Sequence, residues 1–316
     1  MHREYLPMNV AALMDRVFDI YKTTFLYQFA FSIVISLASS MLLFGAVFVF
    51  VIVGVIMYAA FANEAAIIVI VIIGLLILLP LYMAWVYLSS SGHIYISKQA
   101  FYKEKLTLPF KETLRALLRV MSVGIAQFIL MLPPLIFLAF VFIAASFVAD
   151  IGWDLGQFFV LHPAFIIIAS IIFGLAFVAY LNIFALSVPV AIFEKRLFFS
   201  AVIRSFQLLQ GDFWRILGLR VLWFFMVLLF SYSAQGLLML VFGIITFIGG
   251  DMYSLIGLWT LTSIFQVYAS MAVSLLIAPM EGIMSALIFF NQKIKKDGLD
   301  IEISLEHLSK TAVRHG

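Results

Sequence analysis

The chain has 316 residues, 65% of them hydrophobic and only 11% charged, with nineteen Lys and Arg against sixteen Asp and Glu. A soluble domain is about 45–50% apolar and about 25% charged, so a water-soluble fold is excluded, and so is a disordered chain, which would need solvation it cannot obtain. The absence of cysteine removes disulfide scaffolds, thiol catalysis and Cys-ligated zinc or iron–sulfur chemistry.

What remains is an integral membrane protein. Only helices and closed barrels satisfy every backbone polar group in lipid. Barrel strands would show as alternating segments of about ten residues, whereas the apolar stretches here are continuous and far longer.

In chain order, residues 9–22 read as an amphipathic helix. Val10, Leu13, Met14, Val17 and Tyr21 form one face; Asp15, Arg16, Asp19 and Lys22 lie opposite. Spans follow at 25–61 and 65–96. No cleavable signal is expected, because the first apolar run is too long for a signal core. A second amphipathic helix is predicted over 107–119, opening with Pro109 in its first turn. Phe110, Leu114, Leu117 and Leu118 face one way, and Lys111, Arg115 and Arg119 form a cationic row. Spans at 120–149 and 163–193 come next. A third amphipathic helix covers 200–210, with Val202, Ile203, Phe206 and Leu209 against Arg204, Gln207 and Gln210. Gly211 suits a helix stop and Asp212 an N-cap. Spans at 213–250 and 252–292 precede a tail over 293–316.

Charge orients these six spans. All nineteen Lys and Arg fall on one side, while the opposite connections carry only acids: Glu64, Asp150, Asp154 and Asp251. The positive-inside rule places both termini and the tail in the cytoplasm. The basic residues lie beside the bilayer, so membrane lipids are the expected partners and nucleic acid is not. Lys111, Arg115, Arg119 and Arg204 are the lipid-headgroup candidates. Arg16-Val17-Phe18 aligns with Arg204-Ser205-Phe206, and Phe25 with Phe213, at one offset. The expected fold is therefore all-α: a single membrane domain of six transmembrane helices. They form three hairpins in parallel repeat, each preceded by a cytoplasmic interfacial helix.

Met8–Phe25 (MNVAALMDRVFDIYKTTF), Ser200–Leu217 (SAVIRSFQLLQGDFWRIL) and Pro279–Asp300 (PMEGIMSALIFFNQKIKKDGLD) resemble the glycerophosphoryl diester phosphodiesterase membrane-domain family and its YciC-like relatives. The resemblance covers nearly the whole chain and implies a six-span protein of the bacterial inner membrane. No phosphodiesterase domain is expected with it, and no catalytic residue is carried over. The family pattern has an acidic residue where Asn291 stands.

Chemistry is sparse. The histidines His2, His93, His162, His307 and His315 form no HExxH or HxxxH pair, and there is no GxSxG elbow or P-loop. His93, after Ser89-Ser90-Ser91-Gly92, reads as an interfacial packing residue rather than a Ser–His pair. Asp150, Asp154 and His162 read as solvated loop residues. No metal, cofactor or enzymatic activity is expected.

The sixth span is the informative one. At about 100° per residue, Ser263, Gln266, Ser270, Ser274 and Glu281 lie on one face, with Thr260 and Ser285 beside it. Lipid penalises such a face, so it should point inward. Ser32, Ser36 and Ser39 of span 1, Gln127 of span 3, and Ser231 and Gln235 of span 5 are lesser versions. Glu281 is either a functional carboxyl or paired with Arg220 across the last hairpin. Ligand or cavity candidates are thus Glu281, Gln266, Ser270, Ser274, Gln235 and Arg220. Two functions compete. In the first, the chain transports, gates or shelters a small or lipid-like ligand. In the second, it is a scaffold whose amphipathic helices hold lipid, a partner membrane protein or a second copy.

Overall fold

Long unbroken apolar runs without internal turn signals give long helices, and a computed structural model shows an all-α chain. It describes residues 7–61, 64–150, 163–248, 255–298 and 301, with no strand among them. The helices are α1 (Val10–Phe61), α2 (Glu64–Phe101), α3 (Phe110–Asp150), α4 (Pro163–Asn182), α5 (Ser187–Phe193), α6 (Phe198–Leu209), α7 (Phe213–Ile248) and α8 (Leu255–Asp297). Five stretches of the described residues are long and apolar enough to cross a membrane. Many large apolar side chains on them are exposed, among them Met41, Phe44, Ile172, Phe224 and Leu237. Hydrocarbon is the solvent in which such a surface costs nothing.

Two differences from the sequence reading concern the amphipathic segments. The first, 9–22, runs without a break into α1, because neither Gly nor Pro stands between it and the apolar run. The second likewise opens α3. The third is separate: α6 ends at Leu209, and Gly211, at φ +95°, turns the chain into α7. Asp212 heads α7 through its backbone, whose carbonyl accepts from the Ile216 N–H. Its carboxylate is used elsewhere, accepting from Gln292 and Lys295.

A third difference is in the predicted span 163–193. The helix breaks between Asn182 and Ser187. Ser205 of α6 repairs the break: its hydroxyl donates to the Ile183 carbonyl at 2.8 Å and accepts from the Leu186 N–H at 3.1 Å. Ser205 is fully buried, so backbone groups that would otherwise be orphaned are paired.

The chain divides into two compact units. One comprises residues 1–117 and 212–316, the other 118–211. In the first, α8 packs against α1, α2 and α7, and α1 against α2. Its core collects at one end of these helices. Phe31, Ile35 and Ile96 are buried beneath Trp85, Leu88, Leu106 and Phe110, and Phe101 stacks on Phe290 with centroids 4.6 Å apart. Asn291 ties down the N-terminal segment, accepting from the Met8 N–H at 2.8 Å and donating to its carbonyl. In the second unit, α6 lies on α5 with Ala201, Val202, Leu208 and Leu209 buried. Gln127 and Ser187 also bond there.

A candidate ligand cavity and its buried histidine

The side chains of α1, α2 and α8 line an open-sided cavity of about 740 Å³ in the first unit, within the 300–1,000 Å³ usual for small-molecule sites. From α8 it is lined by Ser263, Gln266, Ser270 and Ser274, with Val267, Met271, Leu275 and Ala278 among them. From α1 come Ser32, Ser36 and Ser40; from α2 come Trp85 and Ser89. The serines of α1 recur every four residues, so each helical turn presents one to the same side. No charged side chain lines it among the described residues.

Behind this wall lies a polar knot. His93 is 1% exposed. Its Nδ1 is 2.6 Å from Gln28 Oε1, and its Nε2 is 3.3 Å from Ser32 Oγ and 3.5 Å from Ser89 Oγ. Gln28 is fully buried and reaches the His93 carbonyl and Ser97 Oγ with its amide nitrogen. Phe31 meets the imidazole edge to face at 5.6 Å.

Two glycines make the knot possible. A Cβ on Gly92 would overlap the Phe31 ring, and one on Gly282 would overlap the Cβ of His93. The backbones of α2 and α8 thus approach at His93 as no larger residue would permit.

The other predicted site residues are dispersed. Glu281 is exposed on α8 and is not among the cavity-lining residues. It and Arg220 of α7 act on each other electrostatically, without an ion pair among the described residues. Gln235 donates to Ser231, one turn back on α7. Lys111 and Arg115 are exposed. Arg119 is half-buried, and its Nη1 makes no hydrogen bond among the described residues. Arg204 is held by Glu194 at 3.1 Å, a carboxylate shared with Arg196. Ser39 is buried, and Ser40 takes the cavity position. Asp154 and His162 lie outside the described residues, as does the side chain of Asp150. No group of three or more metal-ligating side chains occurs among the described residues.

Reading the spans one at a time misses Gln28, and it misses the bonding of His93. The signal was a pair of ladders: Gln28 and Ser32 one turn apart, and Ser89, His93 and Ser97 at successive turns. No family model, no curated protein and no solved structure matches the chain.

Proposed function

We propose that this chain is a non-enzymatic protein of the bacterial cytoplasmic membrane that shelters or passes a small or lipid-like ligand in the cavity between α1, α2 and α8. The observation that carries the reading is the composition of that wall: seven serines and a glutamine face one space between three apolar helices. Hydroxyls commonly serve close helix packing, but packing leaves no room between the helices, and here there is room for a ligand. The topology belongs to the same proposal. Six spans in three parallel hairpins, with both termini in the cytoplasm, follow from the one-sided Lys and Arg. Membership of the phosphodiesterase membrane-domain family rests on the motifs around Met8, Ser200 and Asn291.

The chain contains no cysteine, so single cysteines test the cavity cleanly. Ser270→Cys in membrane vesicles should react with a small neutral thiol reagent and be protected by added short-chain lipid. Tyr268→Cys, two residues away and exposed on the outside of α8, should show no such protection. Equal behaviour of the two positions overturns the reading.

A second reading is favoured by one feature of α3. Lys111 and Arg115 are exposed beside Leu114 and Leu118, themselves 62% and 80% exposed. An uncovered face with both cations and leucines suits an anionic lipid surface, at about 1 kcal/mol per basic residue. Replacing both cations with Gln should lower the anionic lipid that co-purifies; unchanged lipid content leaves them as topology signals only.

A further inference from the structure

Gln28 fixes the hydrogen-bonding sense of His93. The Gln28 amide nitrogen lies 3.4 Å from the His93 carbonyl oxygen. A carbonyl only accepts, so the nitrogen must face it and Oε1 is left for the ring. Nδ1 therefore carries the hydrogen, and in the uncharged imidazole Nε2 offers a single lone pair. That lone pair lies between two hydroxyls, Ser32 and Ser89.

Neighbouring hydroxyls return their hydrogens to their own helices. Ser91 donates to the Tyr87 carbonyl, Ser97 to that of His93, and Thr24 to that of Ile20. Ser32 and Ser89 make no other side-chain hydrogen bond among the described residues. Two donors thus compete for one acceptor. One hydroxyl hydrogen and the spare serine lone pairs are left at the cavity wall, where both residues stand. Ser32 is only 3% exposed, whereas Ser89 is half-buried and is the hydroxyl that a group in the cavity reaches.

We infer that Ser32, Ser89 and His93 form a subsite for the hydroxyl group of an uncharged amphiphile of the class of a long-chain alcohol. A hydroxyl both donates and accepts, which matches one surplus serine O–H and one free serine oxygen. An ionised headgroup would find no counter-charge among the described lining residues. Trp85, Val267, Met271 and Leu275 provide an apolar wall for the tail. The inference deepens the ligand-cavity reading and rests on it.

The test uses the full chain in nanodiscs and three diazirine probes of equal chain length: a primary alcohol, the matching carboxylate and the matching alkane. The alcohol should label the α8 wall between Ser263 and Ala278 about fivefold more than the alkane, the worth of one net hydrogen bond, and more than the carboxylate. The double substitution Ser32→Ala, Ser89→Ala should reduce alcohol labelling to the alkane level and leave alkane labelling unchanged. Ser91→Ala, which removes a hydroxyl bonded to its own helix, should keep the preference. Equal labelling by alcohol and alkane, a carboxylate preference, or a preference that survives the double substitution overturns the subsite and leaves the cavity standing. No labelling of α8 by any probe overturns both.

Discussion

Glu281 of α8 and Arg220 of α7 attract one another without touching. Helix register explains why. Lys295 and Asp212 are in contact and so set the two antiparallel helices level. From there Arg220 lies about 12 Å along α7 and Glu281 about 21 Å along α8, at 1.5 Å per residue. The offset of about 9 Å along the axes accords with the absence of an ion pair between them among the described residues. A double-mutant cycle of Glu281→Gln and Arg220→Gln, read by thermal unfolding in detergent, should give a coupling of about 1 kcal/mol. Removing one partner of a contacting buried pair costs about 3–5 kcal/mol; a loss in that range for either single substitution would contradict this geometry.

The glycine contacts at His93 predict a graded response. Gly282→Ala should destabilise by about 2–3 kcal/mol, because the added methyl meets the Cβ of His93, which no rotamer can move. Gly92→Ala should cost less, since the obstructing group is the far edge of the Phe31 ring. Gly218→Ala, with open space at its Cβ, should be neutral or stabilise α7 by up to about 1 kcal/mol. Melting temperatures in the order Gly218→Ala, Gly92→Ala, Gly282→Ala, highest first, are expected; any other order tells against the close approach.

Ser205→Ala removes both repairs of the broken helix at once. It strands the buried Leu186 N–H and the part-buried Ile183 carbonyl, at about 1–3 kcal/mol for the buried group and less for the other. Thr at this position keeps the hydroxyl and should recover much of the loss. Faster hydrogen exchange at Leu186 in the alanine variant, with little change in α8, is the accompanying signature; unaltered exchange at Leu186 would show that water replaces the hydroxyl.

Asp212 predicts a pH dependence. The Lys295 ammonium beside it holds its carboxyl below the usual carboxylate value of 3.8. A lowered folded-state value means that the pair stabilises fully above the unfolded value and is lost as pH falls through the folded one. Between about pH 5 and pH 2, the wild type should therefore lose more stability than Asp212→Asn. The pair is partly exposed, with side chains 22% and 26% accessible, so solvent screening keeps the difference below about 1 kcal/mol. Parallel acid titration curves for the two proteins would count against the pairing.

Helix content was legible because an apolar run of thirty residues has no other stable form in lipid. The stop at Gly211 was legible because a positive φ is a property of the residue itself. The break after Asn182 was legible only in part: residues 183–186 contain neither Gly nor Pro, but Pro189 has no N–H for the Ala185 carbonyl. The pairing of the groups left at the break depends on Ser205, which arrives from another helix. Periodicity alone places Ser263, Gln266, Ser270 and Ser274 on one face of α8. A face is all that periodicity can give, and the opposing serines of α1 and α2 come from tertiary pairing. His93 shows the same limit most sharply. Its immediate neighbours suggest packing, while two of its ring hydrogen bonds run to residues more than sixty positions away.

One property of α1 reaches beyond the cavity. Its 52 residues contain no proline and continue unbroken from the clamp region near Met8 to Phe61, a length of about 78 Å. Such a rod joins two stations. Asn291 of α8 grips the chain just before the first turn of α1, and Ser32, Ser36 and Ser40 stand further along it on the cavity wall, opposite other residues of α8. The anchor of the N-terminal segment and the ligand space are thus spelled out on the same two helices, and on the α1 side one continuous piece of backbone, with no joint in it, connects them.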